Sequence, residues 1–113
     1  QLRWAWHDFF GRHDLLLMPI TATPAFEHDH SEPMPARRLR VNGAELPYFD
    51  QLFWAGLATA AFLPATIAPG GLSPEGLPVG VQIVGPEMAD RSTIWLAGEL
   101  AGLIGGFQPP PGY

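Results

Sequence analysis

A chain of 113 residues, 47% of them hydrophobic and 15% charged, has the make-up of one small folded domain and not of a disordered acidic tail. A net charge of -5 argues against a nucleic-acid surface, which needs clustered Lys and Arg. The absence of Cys excludes disulfides, thiolate metal sites and Cys nucleophiles.

Leu2, Trp6, Phe9 and Phe10 fall at roughly helical spacing, which predicts a short helix with an aromatic stripe stopped at Gly11. The run Asp14-Leu15-Leu16-Leu17-Met18-Pro19-Ile20 then predicts a central strand buried on both faces, with Pro19 near its end. Residues 21–47 lack sustained periodicity and carry Pro24, Pro33, Pro35 and Pro47. They are expected to form a long surface loop, with a turn at Asn42-Gly43. Arg37, Arg38 and Arg40 are read as a solvated loop face and not as a phosphate site.

A helix is predicted from Tyr48 to Phe62, weakened by Gly56 and stopped by Pro64. A strand over Ala65 to Ala68, ended by Pro69, follows at once. The turn formers from Gly70 to Pro78 then favour a hairpin-like return. In the next strand Val79, Val81 and Ile83 share one face, and Gly80, Gln82 and Val84 share the other. Gly80 leaves room for a backbone or a large side chain, and Gln82 requires hydrogen-bond partners.

Asp90 is expected to cap the last helix, with Ile94, Ala97, Ala101 and Ile104 on its apolar side, widened by Leu96, Leu100 and Leu103. Gly105 and Gly106 supply its stop, and residues 107–113 form an extended Pro-rich tail. The order of elements predicts an α/β layer structure of about three strands and three helices. That is thin cover for strands so apolar, so sheet edges and apolar surface should be left open. The chain opens on Gln1 inside an amphipathic helix, which suggests a piece cut from a longer protein. No apolar run approaches the roughly 20 residues of a membrane span, so no membrane partner is expected.

The motifs Leu63-Pro64-Ala65, Pro69-Gly70-Gly71 and Gly76-Leu77-Pro78-Val79-Gly80-Val81-Gln82-Ile83-Val84-Gly85-Pro86, with Asp90 opening the last helix, resemble the C-terminal end of the amidase signature family. The resemblance covers most of the chain from about Arg3, but only the last part of a full-length amidase. It implies a C-terminal fragment of the amidase-type mixed sheet flanked by helices, a single partial domain over residues 1–113. The segment from Asp14 to Pro19 would then be an inner strand of the large sheet.

The resemblance further implies a parent that hydrolyses a carboxamide with a Ser nucleophile, a second Ser in a cis peptide and a Lys, without a metal or organic cofactor. Such chemistry needs a proton acceptor for the hydroxyl and N–H groups aimed at the developing oxyanion. This chain has no Lys, and its Ser residues are Ser31, Ser73 and Ser92, none in a Gly-Ser-Ser-Gly setting. No catalytic residue carries over, and the chain alone is expected to be inactive.

What the resemblance leaves for this chain is a share of the substrate-pocket wall. Tyr48, Asp50 and Trp54 are the candidate substrate-binding residues, with Asp50 able to pair with a cationic group. The competing reading makes Asp50 a helix-start residue and packs Trp54 in the core. Ser73 with His28 and Asp29 makes a triad only on paper, since Ser73 lacks a strained elbow and is better read as a turn residue. Glu27-His28-Asp29-His30, with Glu32, resembles a metal cluster but is better read as a solvated loop. Gly70-Gly71 to Gly76 is neither a Walker motif nor a dinucleotide fingerprint.

The leading expectation is the C-terminal structural and substrate-pocket portion of an amidase that acts on a small-molecule amide in the cytoplasm. Contact with the remaining N-terminal part, or oligomerisation, is expected. A component of a glutamine-dependent tRNA amidotransferase is a narrower member of the same class, and no residue here selects it. The alternative is a non-catalytic binding or assembly module of amidase-like fold.

Overall fold

The computed structural model describes residues 1–110 and 112. Pro111 and Tyr113, both part of the expected extended tail, lie outside the described residues. The elements run α1 (Leu2–Phe10), β1 (Leu16–Pro19), β2 (Arg38–Val41), β3 (Ala44–Pro47), α2 (Leu52–Thr59), β4 (Ala65–Leu72), β5 (Pro78–Val84) and α3 (Asp90–Ile104). Strands β1, β5 and β4 form one antiparallel sheet in that spatial order, and β2 and β3 form a separate hairpin.

The sheet is covered on both faces. Cross-strand partners share a face, so the register Leu17↔Ile83 and Thr66↔Ile83 puts these three side chains together. That face meets α3, where the Thr66 and Thr93 hydroxyls lie 2.8 Å apart. The opposite face carries Met18 and Val84, which pack with Ala58 of α2 and are flanked by Phe10 of α1 and Trp54. Ile83 and Val84, adjacent and pointing to opposite faces, are both 0% exposed, so each layer has its anchor on β5.

The central strand is therefore β5 and not β1. Within this chain β1 is an edge, and Leu17 stays half exposed because only β5 pairs with it. Strand β4 also differs from expectation: it runs through Pro69 to Leu72, with a register shift between Pro69 and Gly71. As an edge strand, β4 tolerates the N–H that Pro lacks. The return into β5 is the expected hairpin, and Gly80 makes the expected space. A Cβ there would stand 2.5 Å from the Ile20 Cδ1 methyl.

Residues 21–47 are not all loop. Asn42 and Gly43 have φ of 49° and 82°, the paired left-handed conformations of a two-residue hairpin turn, and they join β2 to β3. Leu39, on β2 of this hairpin, is buried. The predicted helix from Tyr48 divides into a 3-10 turn, Tyr48–Gln51, and the shorter α2.

Helix α2 ends early in a double hydrogen bond. The Leu63 N–H donates to the Ala58 carbonyl at 3.1 Å and the Phe62 N–H to that of Thr59 at 3.2 Å. This motif needs a left-handed residue where Gly usually stands, and here that residue is Phe62, with φ of 58°. We expect Phe62→Gly to stabilise the chain by roughly 0.5–1 kcal/mol, since relief of left-handed strain outweighs the added freedom of the unfolded chain. A lower urea midpoint would refute this. The side chain is 78% exposed, and its loss gives up the Arg3 guanidinium 6.0 Å over the ring, a weak contact at an exposed site.

Helix α3 begins differently from expectation. Ala89 holds the cap position and Asp90 is the first helical residue, without a capping side-chain bond. Asp90 still adds negative charge at the positive end of the helix dipole. The inward face carries Thr93, Leu96, Ala97, Leu100 and Ala101, whereas Ile94, Leu103 and Ile104 are exposed. Gly105, at φ of 86°, terminates the helix as expected. No helix among the described residues is long and apolar enough to cross a membrane.

Candidate functional site

Tyr48 and Asp50 sit on the 3-10 turn that leads from the hairpin into α2, and Trp54 lies one turn further on. The turn is set by Pro47, whose φ of -55° directs the chain into it. The Tyr48 N–H donates to the Arg37 carbonyl at 3.2 Å, which fixes the turn against the base of the hairpin.

The three candidate side chains do not converge. Tyr48 packs edge-on against Phe26, with ring centroids 6.1 Å apart, and lines a cavity of about 400 Å³ with Phe26, His28, His30 and Arg37. Asp50 is exposed, and no cation pairs with it among the described residues. Trp54 packs beside Met18, Ala58 and Val84, while its carbonyl accepts the Gln82 side-chain amide at 3.4 Å. Gln82 is thereby tied to a neighbouring element, as expected for a buried amide on an apolar strand.

Sequence reasoning missed Phe26 and Arg37. Phe26 borders three adjoining cavities, including one of about 410 Å³ against Gln51 and Gly80 and one of about 560 Å³ against the hairpin. Arg37 is not part of a solvated face. Only 12% of its side chain is exposed, and it is pinned by the Ser31 carbonyl at 2.8 Å and the Glu32 carboxylate at 3.3 Å. The Glu32–Arg37 charge spacing across Pro33 and Pro35 was the available signal. Arg38 and Arg40 are exposed, as expected.

The rest of this loop is hydrogen-bonded within itself. Asp29 accepts the Ser31 N–H at 2.8 Å, and hydrogen bonding by Ser31, side chain first, holds its carboxyl below the ordinary value. His28 and His30 are exposed, with ring centroids 5.8 Å apart. Among the described residues no group of three or more His, Asp or Glu is arranged to hold a metal ion. Ser73 is a turn residue: its hydroxyl donates to Glu75 at 2.7 Å and its carbonyl accepts the Gly76 N–H at 2.9 Å. That bond from Ser73 lowers the Glu75 carboxyl below its ordinary value.

The arrangement is a set of shallow cavities around one aromatic pair, framed by the sheet and the hairpin. It offers surface and shape to a ligand, and the Ser73–Glu75 contact lies apart from Tyr48, within a turn. The family profile described as Amidase matches residues 1–94. The chain belongs to the amidase family.

It is also similar to individual proteins. The chain is 34% identical over 88 residues to the A component of glutamyl-tRNA(Gln) amidotransferase from Chlamydia trachomatis serovar L2, covering 77% of this chain and 16% of that protein. It is 37% identical over 81 residues to the protein of the same description from Rhodopirellula baltica, covering 72% of this chain and 14% of the relative. The corresponding protein from Chlamydia pneumoniae is 31% identical over 88 residues, covering 77% of this chain and 15% of its own length. The chain thus spans about a sixth of the length of the curated relatives it matches.

Proposed function

We propose that this chain is the C-terminal structural and substrate-pocket portion of an amidase whose parent hydrolyses the C–N bond of a carboxamide. The single observation that carries the reading is the openness of its sheet. Three strands end in two edges, β1 and β4, while Leu17 and Ile67 on the sheet and Trp95, Leu103 and Ile104 on α3 remain exposed. Apolar surface on this scale calls for further protein against it, and in this reading the remainder of the parent supplies it.

In this reading the parent's Ser-Ser-Lys catalysis lies outside the present residues. The chain contains no Lys, so it lacks the base such a site needs. Tyr48, Asp50 and Trp54 are proposed to contribute to the substrate wall, Tyr48 through its contact with Phe26 and Trp54 by bracing α2. No metal or organic cofactor is required, and a cytoplasmic location suits the reading.

The chain alone is expected to release no ammonia from aliphatic or aromatic carboxamides. The complete reading frame is expected to hydrolyse at least one of them, a contrast of at least about a millionfold. Ammonia release from the isolated chain would overturn the reading. A tRNA amidotransferase component is favoured as the narrower form by the descriptions of the relatives above, and glutamine hydrolysis by the complete protein that rises on adding glutamyl-tRNA(Gln) would select it. A complete protein inert towards amides that still binds a partner would instead support the non-catalytic assembly module.

A further inference from the structure

We infer that Asn42 is a site of spontaneous covalent modification, converting in the folded chain to aspartate and isoaspartate through a cyclic imide with Gly43. This is independent of the amidase reading. Asn42 is the sole Asn of the sequence and stands directly before Gly43 at the tip of the β2–β3 hairpin. Both residues are exposed and both have positive φ, 49° and 82°. Among the described residues the Gly43 N–H donates to no backbone or side-chain acceptor outside the strand ladders, so the attacking nitrogen is not engaged in a turn bond. A Cβ placed on Gly43 would meet nothing within 4 Å, so no neighbouring atom obstructs closure of a ring there.

The chemistry balances without a redox partner. The Gly43 amide nitrogen gives up its proton to hydroxide and attacks the Asn42 side-chain carbonyl carbon. The new C–N bond closes a five-membered imide, and the old C–N bond breaks, releasing ammonia. Water then adds to one of the two ring carbonyls. Opening of the ring leaves Asp or isoaspartate at position 42 according to which bond breaks: cleavage of the bond from nitrogen to the side-chain carbonyl gives Asp, and cleavage of the bond to the main-chain carbonyl gives isoaspartate. Isoaspartate adds a methylene to the backbone within a two-residue turn, so the pairing Val41↔Ala44 is lost at its first rung. Either product places a carboxylate on the wall of the cavity of about 560 Å³ that the hairpin forms with the Phe26 loop, beside Arg40.

The test incubates the intact chain at 37 °C across a pH series and follows, by mass spectrometry, all its glutamate-cleaved peptides, Asn42 lying in the one that ends at Glu45. The expected result is a gain of one dalton at Asn42 with matching isoaspartate. Its rate should rise about tenfold for each unit of pH, because the amide must lose its proton first. Asn42→Gln, which requires a larger ring, should remove the gain. Three results would overturn the proposal: no gain in the time that fully converts a free peptide of the same sequence, a gain placed at Gln51 or Gln82 instead, or a rate that climbs in urea in step with the unfolded fraction. The first and last are read on the unaltered chain, so a misfolded variant does not obscure them.

Discussion

Ile83→Ala is expected to lower the stability of this chain by about 2–5 kcal/mol, read as a shift in urea midpoint at unchanged slope. Ile83 is 0% exposed on the central strand, between Leu17 and Thr66 on the two edge strands and beneath α3. Truncation leaves a void that only the helix can close. That helix is held by the bonds of Thr93, so it has little freedom to follow. A small domain has roughly 5–15 kcal/mol in total, so this one change should consume a large share of it. Ile83→Val, which removes a single methyl, should cost only about 0.5–1.5 kcal/mol. If Ile83→Ala cost less than its Val counterpart, the assignment of β5 as the structural centre would fail.

The second large effect is expected at Gly85, for a steric reason. A Cβ built there stands 2.9 Å from the Thr93 γ-methyl and 3.3 Å from both the Ala89 Cβ and the Leu15 Cδ2. Thr93 cannot rotate away without loss. Its hydroxyl lies 2.8 Å from that of Thr66 and donates to the Asp90 carbonyl at 2.8 Å. Gly85→Ala should therefore destabilise by about 1–3 kcal/mol from overpacking, and by about 1 kcal/mol more if the hydroxyl bonds break. Gly98, in the interior of α3, is the internal control, because a Cβ there meets nothing within 4 Å. Gly98→Ala should instead stabilise by about 0.5–1 kcal/mol. Equal costs at the two positions would show that the close approach of β5 to α3 does not govern stability.

The elements that proved legible are those whose signal is local. The aromatic spacing from Leu2 to Phe10 predicted a short helix stopped at Gly11, and the run of Pro and Gly around two apolar stretches predicted the β4–β5 hairpin. Asn42-Gly43 announced a turn, because both residues tolerate positive φ. The hairpin around it was less visible, since Arg38 to Val41 and Ala44 to Pro47 are short and largely polar.

The candidate site was less legible than the fold. Tyr48 lines a cavity together with Phe26. Its partner Phe26 lies 22 positions earlier in an aperiodic loop, where no spacing rule links the two. Trp54 was placed in both readings, and its packing beside Met18 and Val84 follows the core one. Asp50 is exposed, and its proposed role awaits a ligand.

Composition and local pattern were enough to establish membership of an α/β class, the alternation of faces along β5 and the absence of Lys from the chain, because these depend on residue identity and near neighbours alone. Which strand stands in the middle, which face of α3 turns inward and whether Arg37 meets water depended on pairings between segments distant in the chain. A strand as apolar as Leu16 to Pro19 suits an edge or a centre equally well until its neighbours are in place, since burial is a property of the assembled sheet and not of the strand.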